Sequence, residues 1–362
     1  MKRRTFIKNI PLSIGGIIMT NSLPFSEKKD KKLGVALVGL GNYSMRQLGP
    51  ALLETQNCYL AGIVTGTPEK AEKWAKQYNI PSKNVYNYQN FDSIKDNPDI
   101  DIVYIVLPNS MHAEYTIRAA KAGKHVICEK PMAMNVKECE QMIAACQAAK
   151  VKLAIGYRLH YEPHHLEMRR LATEKVYGAV KIVNSSLGYA MADPKSWRLN
   201  KDMGGGGAIM DLGVYAIQGA RRTVNELPSS VLAQGFVSDK TIFKGIYEAM
   251  MFQMTYPSGA ISNSETTYGA FFDRLYATTA SEWFELRPSF GAGLATGNSS
   301  KGKIEFKRDS YQQIKQMDAF AENIVKNTPV LASGEEGVID LKIIEAIKKS
   351  ADKGGKRVEM QW

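Results

Sequence analysis

The stretch "LGVALVGLGNYS", residues 33–44, decides how this chain folds. Val35 to Val38 is a short apolar run ended by glycine, the pattern of a strand buried on both faces. Gly39-Leu40-Gly41-Asn42-Tyr43-Ser44 follows and fits G-x-G-x-x-G, with serine in place of the last glycine. Alone the motif says little; here a strand precedes it and a helix-like stretch, 45–56, follows it. In that setting the glycines let the backbone approach a pyrophosphate, which the helix N-terminus then stabilises. Gly39, Leu40, Gly41, Asn42 and Tyr43 are therefore candidate dinucleotide contacts.

The next strand-like run, "CYLAGIVTGT" (58–67), ends where a dinucleotide site usually carries an acid for the ribose 2′-hydroxyl. This chain offers Thr65, Gly66 and Thr67, with Lys70 on the following helix. No carboxylate stands there to repel a 2′-phosphate, so NADP is expected ahead of NAD. Strand and helix keep alternating: "IDIVYIVLP" (100–108), a helix over 111–122, and "HVICEKP" (125–131). Asn135 with Glu138 three residues on then marks a capped helix start. Such alternation predicts a doubly wound parallel sheet, with ligands at the carboxyl ends of its strands. Leu107, Pro108, Asn109 and His112 stand at one such end, and Glu129 and Lys130 at another.

From "IGYRLHYEPHH" (155–165) the pattern changes. After a helix over 163–173 come strand-like segments near 179–190, 229–238, 247–256, 259–268, 274–280 and 303–307. "TYPSGAIS" (255–262) reads as a hairpin turn. Strands without intervening helices predict an α+β domain with a large, mostly antiparallel sheet. One open face of that sheet would bury itself against another subunit, in a homodimer or homotetramer. Two helices, about 312–327 and 336–352, close the chain. The expected division is 33–154 for the dinucleotide-binding domain and 155–362 for the second.

Within the second half, "GGGGAIMDLGVYAIQ" (204–218) runs four glycines into a helix-like stretch. It sets Asp211 and Tyr215 four residues apart, on one helical face. All five histidines precede residue 166, so the commonest proton carrier is absent from the whole second domain. Tyr215 is the natural substitute.

The ends and the composition add limits. "MKRRTFIKNIPLSIGGIIMT" joins a basic start to an apolar run, Ile10 to Met19, too short to span a membrane. Arg3 and Arg4, with Thr5, Phe6 and Lys8, form a twin-arginine-type signal over residues 1–26, which predicts export to the periplasm. The formal charge is +11, and the first 26 residues hold four of the 47 basic residues and no acid. No basic cluster interleaves with aromatics, so nucleic acid is not an expected partner. Cys58, Cys128, Cys139 and Cys146 form no C-x-x-C and no pairing with histidine. Buried thiols are expected, with no metal site.

"GLGNYS", "VTGTPEKAEKWA", "CEKPMA", "GYRLHYEP", "DPKSWRL" and "GGGGAIMDLGVYAIQGAR" together resemble the Gfo/Idh/MocA oxidoreductases, and within them the glucose-fructose oxidoreductase-like branch. The resemblance covers nearly the whole chain from residue 33. It implies a Rossmann domain, a second domain with an open oligomerisation sheet, and NADP-linked chemistry on a sugar. By motif it implies that Lys130 contacts the reacting oxygen, with Asp211 and Tyr215 facing it. It also makes Arg158, Trp197 and Arg198 cofactor contacts from the second domain. Two departures bear on cofactor retention and the fructose half-reaction. Only about residues 27–32 stand where that branch has a long arm, and Ala292 stands where a tyrosine is expected.

Sugar oxidation needs hydride loss from carbon and removal of the hydroxyl proton. An unperturbed tyrosine, with a pKa of ~10, is a poor base at neutral pH. The Lys130 ammonium and the positive nicotinamide would stabilise its phenolate. Asp211 would bond a sugar hydroxyl or hold Lys130, and the glycine run would let the backbone pass close to the nicotinamide. The alternative reading is a glycoside hydrolase that retains NAD and cleaves by transient oxidation and elimination. A non-catalytic sugar-binding or redox-sensing module is disfavoured by the intact Lys130, Asp211 and Tyr215.

Overall fold

The computed structural model describes residues 32–293, 295–307 and 311–362. The expected signal at 1–26, and the short arm but for Lys32, lie outside them. A first sheet contains β1 (Leu33–Val38), β2 (Cys58–Val64), β3 (Val85–Tyr86), β4 (Ile102–Ile105), β5 (His125–Cys128) and β6 (Leu153–Ile155). The order is β3-β2-β1-β4-β5-β6, with every pairing parallel. Both faces are buried, as an all-parallel sheet requires. Val35, Leu37, Ile102 and Tyr104 point to one side, and Ala36, Val38, Val103 and Ile105 to the other.

Helices α1 (Gly49–Glu54) and α2 (Pro68–Tyr78) cover the first side; α3 (His112–Lys121) and α4 (Val136–Ala148) cover the second. The expected cap of α4 is present. The Asn135 carboxamide oxygen accepts from Glu138 N at 2.9 Å, and its nitrogen donates to the Glu138 carboxylate at 2.8 Å. Between β1 and α1, residues Ser44–Leu48 form a π-helical turn where a regular helix was expected.

After α5 (Pro163–Thr173) comes β7 (Ile182–Gly188), then α6 (Lys201–Gly204), a π-turn at Ile209–Gly213 and α7 (Val214–Val224). The second sheet is completed by β8 (Ser230–Phe236), β9 (Ala249–Thr255), β10 (Ile261–Thr267), β11 (Phe272–Thr278), β12 (Trp283–Leu286), β13 (Gly297–Ser299), β14 (Gly302–Ile304) and, at the far edge, β15 (Val358–Glu359). Its order is β14-β13-β12-β11-β7-β10-β9-β8-β15, antiparallel except for β7 with β10. The expected hairpin joins β9 to β10, turning at Gly259, where φ is +82°. Residues of β9 alternate between the core and the outer face: Met250, Phe252 and Met254 point in, while Met251 points out.

One element crosses the expected division between the halves. Helix α8 (Gln312–Val325) lays Ile314, Met317, Phe320 and Ala321 on Val35, Leu37 and Tyr104 of the first sheet. Helix α9 (Gly334–Asp352) follows it, and Ile155 N donates to Ala332 O at 2.7 Å just before α9 begins. All four cysteines are buried and free, as expected.

Candidate active site

The glycine loop leaves β1 at the point where its neighbours β2 and β4 carry the chain in opposite directions, the crevice such sheets use for ligands. Gly39 is required sterically: φ is +93°, and a Cβ there would stand 2.3 Å from Val106 O. Gly41 has nothing within 4 Å of a Cβ position, so the loop is open on that side. Ser44, in place of the last glycine, is buried and donates to Gly39 O at 2.6 Å, closing the loop on itself. Leu40 is buried and Asn42 exposed. Thr65 Oγ accepts from Thr67 N at 3.2 Å, Gly66 lies against the Tyr88 ring, and Lys70 is exposed. These residues fit a dinucleotide: an open glycine cradle, with hydroxyls, a cation and no acid on Thr65–Thr67.

Lys130 is the centre of the second group. Its Nζ donates to Asp211 O at 2.8 Å and to Asp211 Oδ1 at 3.1 Å, and stands 4.6 Å from the centre of the Tyr215 ring. Both charged side chains are nearly enclosed, at 10 % and 14 % exposed. Asp211 Oδ2 accepts from Arg198 Nε at 2.9 Å, from the Tyr268 hydroxyl at 3.1 Å and, more weakly, from the Tyr189 hydroxyl at 3.4 Å. Burial alone would raise the Asp211 pKa, but Lys130 and Arg198 outweigh it and hold it at about 2. Burial likewise pulls the Lys130 pKa down, and Tyr215, Asp211 and Glu129 turn the net shift upward. Lysine and aspartate are locked as an ion pair.

These contacts choose between the two roles open to Asp211. With Lys130, Arg198, Tyr268 and Tyr189 on it, the carboxylate is committed to orienting Lys130 and not to a sugar hydroxyl. Tyr189 and Tyr268 are functional residues that sequence reasoning missed; they come from the ends of β7 and β10, far from Asp211 in sequence. Arg198, expected on the cofactor, is placed in this carboxylate cluster, its guanidinium 4.6 Å over the Trp197 ring.

Arg158, the other arginine expected on the cofactor, is enclosed by protein atoms. It donates to Gly291 O at 2.9 Å and Phe290 O at 2.6 Å, pairs with Gln312 Oε1, and lies 5.1 Å from the Tyr215 ring. Its polar edge is spent on protein, so it acts as a second cation beside Tyr215. His112 has both ring nitrogens on backbone carbonyls, Pro131 O and Leu107 O, at 2.9 Å each. Burial lowers its pKa, and it braces the two strand ends. Asn109, beside Pro108 at the end of β4, donates to Gly204 O at 2.9 Å. Glu129 is buried, which raises its pKa, and accepts from the Tyr104 hydroxyl at 2.8 Å. Burial and the nearby Glu129 push the Tyr43 phenol well up, despite Arg158 close by.

The glycine run has a protein-side explanation. A Cβ on Gly204 would stand 2.7 Å from Arg198 O, one on Gly205 3.0 Å from Met134 Sδ, and one on Gly207 2.4 Å from Tyr247 O. Gly205 and Gly207 also take positive φ, at +86° and +74°. Lys348 on α9 donates to Gly205 O at 3.0 Å, a contact invisible from the sequence. The run is tight packing against this chain's own atoms. Among the described residues, no group of histidine, cysteine and carboxylate side chains could hold a metal ion.

An open nucleotide cradle beside a lysine, an aspartate and a tyrosine held in contact is the geometry of a nicotinamide-linked oxidoreductase. Residues 33–157 match the family model described as an oxidoreductase family with an NAD-binding Rossmann fold, and residues 165–286 match the GFO/IDH/MocA C-terminal domain. The chain belongs to the GFO/IDH/MocA oxidoreductases. Among solved structures it is similar to an aldose-aldose oxidoreductase from Caulobacter crescentus, at 38% identity and a TM-score of 0.89. That match covers 91% of this chain and 100% of the other. It is 25% identical over 333 residues to a D-xylose 1-dehydrogenase [NADP(+)] from Haloarcula marismortui, covering 89% of this chain and 92% of the relative. A levoglucosan dehydrogenase complex with NADH shares the fold at 23% identity and a TM-score of 0.74, with 92% of this chain and 100% of that chain covered. As a GFO/IDH/MocA member the protein is an NAD(P)-dependent oxidoreductase, and the expected two-sheet architecture is the family's.

Proposed function

We propose that the protein is an exported, NADP-dependent oxidoreductase that moves hydride between a sugar C–OH and nicotinamide. It would act as an aldose dehydrogenase or as a sugar–sugar oxidoreductase. The observation that carries this reading is Lys130 Nζ, anchored twice on Asp211 and set against the Tyr215 ring. When bound, the dinucleotide supplies the hydride acceptor. An ammonium has three N–H donors, and Asp211 takes two, leaving the third for the substrate oxygen. As the C–OH becomes a carbonyl, its hydroxyl proton passes to Tyr215. Lys130 and Arg158 stand 4.6 and 5.1 Å from the centre of the Tyr215 ring, two cations beside the ring of the accepting oxygen. Asp211, ionised throughout, keeps Lys130 charged and aimed.

Thr65 and Lys70, with no acid on Thr65–Thr67, support NADP over NAD, in keeping with the NADP in the name of the Haloarcula relative. The Caulobacter relative's name, an aldose-aldose oxidoreductase, supports a cycle in which one sugar is oxidised and another reduced. Such a cycle suits a folded export route, since the nucleotide could be loaded before the membrane is crossed. A homodimer or homotetramer through the outer face of the second sheet belongs to the same reading.

The test is purification without added nucleotide, followed by identification of what remains bound. Nicotinamide absorbance is then followed on adding D-xylose or D-glucose, and cells are fractionated. Bound NADP, reduced by an aldose, in a periplasmic protein is the expected result. Tighter binding of NAD by calorimetry would overturn the cofactor assignment. Glycoside cleavage without net cofactor turnover would favour the elimination reading.

A further inference from the structure

Behind Tyr215 lies a polar chain that the chemistry above does not use. Gln218 sits on α7 less than one turn beyond Tyr215 and is buried. Its side chain bridges two other segments: Oε1 meets His160 Nε2 at 2.6 Å, and Nε2 donates to Asp340 Oδ2 at 2.6 Å. His160 belongs to the turn Arg158–Tyr161, two residues after the arginine that faces Tyr215. Asp340 belongs to α9 and is fully buried, with Arg221 of α7 at 3.9 Å; Arg221 also pairs with Glu336.

The hydrogens run one way only. A carboxylate accepts, so the Gln218 amide nitrogen must face Asp340 and its oxygen must face His160. His160 must then carry its proton on Nε2. The imidazole stacks on Tyr157 at 5.2 Å between ring centres, and burial with Arg222 nearby keeps it neutral. Turning the amide over would set carbonyl against carboxylate and NH2 against N–H, so one orientation is enforced.

We propose that Gln218 is a positioning residue for proton transfer: by joining His160 to Asp340 it holds the Arg158–Tyr161 turn against α7 and, together with the Arg158 bonds to Phe290 O, Gly291 O and Gln312, sets how far Arg158 stands from Tyr215. Arg158 and Tyr215 lie on different segments. Apart from their own contact, the His160–Gln218 bond is the polar tie between those segments nearest the ring. Asp340 anchors the tie to α9, the helix whose Lys348 holds the glycine run. A misplacement of ~1 Å at a reacting group can cost ~10²-fold in rate, which gives the scale of the effect.

The test rests on the oxidoreductase reading for its kinetic arm and is independent of it in its structural arm. Gln218→Glu keeps an acceptor for His160 but sets two carboxylates against each other. Gln218→Glu with Asp340→Asn restores the chain, because the new amide donates back. With NADP and whichever aldose the wild type oxidises, the single variant should lose 10- to 100-fold in kcat, with KM for sugar within about threefold. The double variant should recover to within about threefold of wild type. In crystals of the single variant, the Arg158 guanidinium should stand farther from the Tyr215 ring than 5.1 Å. A single variant that loses thermal stability but keeps wild-type kcat and the wild-type Arg158–Tyr215 distance overturns the proposal. If the wild type oxidises no aldose, the sugar reading fails and the distance alone decides this one. Should the single variant not fold, Gln218→Met is judged by the same two measurements.

Discussion

At the scale of single residues, the site rests on one carboxylate that never leaves its charged state. Asp211 has a pKa of about 2, below the ordinary 3.8, so its contribution to stability is present above the unfolded value and lost only as pH falls through about 2. The Lys130–Asp211 pair therefore stays intact across the range in which an enzyme is assayed. The proposed mechanism gives proton transfer to Tyr215. Tyr215→Phe should lower kcat by ~10²–10⁴-fold while nucleotide affinity by calorimetry stays near wild type. Lys130→Met should be at least as damaging, since it removes a substrate contact and a cation beside the ring. Near-normal turnover by Tyr215→Phe would take the phenol out of the mechanism. Asp211 and Tyr215 could be set on one face from their four-residue spacing, and Lys130 from its place beside Pro131 at a strand end, although the 81 residues between Lys130 and Asp211 hid their contact. Tyr189, Tyr268 and Lys348 were not legible, because their roles exist only once strand ends and α9 converge.

At the scale of elements, α7 and α9 meet through charges that a sequence pattern reads as ordinary helix surface. Burial raises the Asp340 pKa from 3.8 to about 6, with Arg221 and Gln218 opposing. A carboxyl whose folded pKa lies above its unfolded value contributes full stability below the unfolded value and loses it as pH rises through the folded one. Between pH 5 and pH 7 the wild type should therefore lose stability relative to Asp340→Asn, by about 1 kcal/mol. Denaturant titrations of both proteins at the two pH values measure this. Parallel curves would assign the titration elsewhere. The elements themselves were largely legible: apolar runs ended by glycine or proline gave β1, β2, β4 and β5, and Asn135 gave the start of α4. Short strands such as β3, β13 and β15 were not, because two or three residues carry no period and pair only where a neighbour is already placed. The π-turns at Ser44–Leu48 and Ile209–Gly213 also escaped, since an i+5 pairing leaves the apolar spacing of a helix nearly unchanged.

At the scale of the whole molecule, the second sheet keeps one face bare. Met251 is 59% exposed and Phe271 82%, and Leu232, Phe272 and Arg274 join them around a cavity of about 1120 Å³. Exposed apolar side chains among polar ones, as here with Gln234, Gln253 and Glu265, are a pattern that subunit contacts cover. Met251→Lys should shift the protein towards monomer in sedimentation velocity without unfolding it. An unchanged sedimentation coefficient would move the interface off this sheet. Helix α8 carries another consequence. A layer of the first sheet's core is supplied by residues near the far end of the chain, after every strand of the second sheet but β15. A nascent polypeptide must therefore emerge from the ribosome almost to its last helix before its opening strands are fully covered. Until then Val35, Leu37 and Tyr104 lack the layer that covers them, and remain open to chaperones.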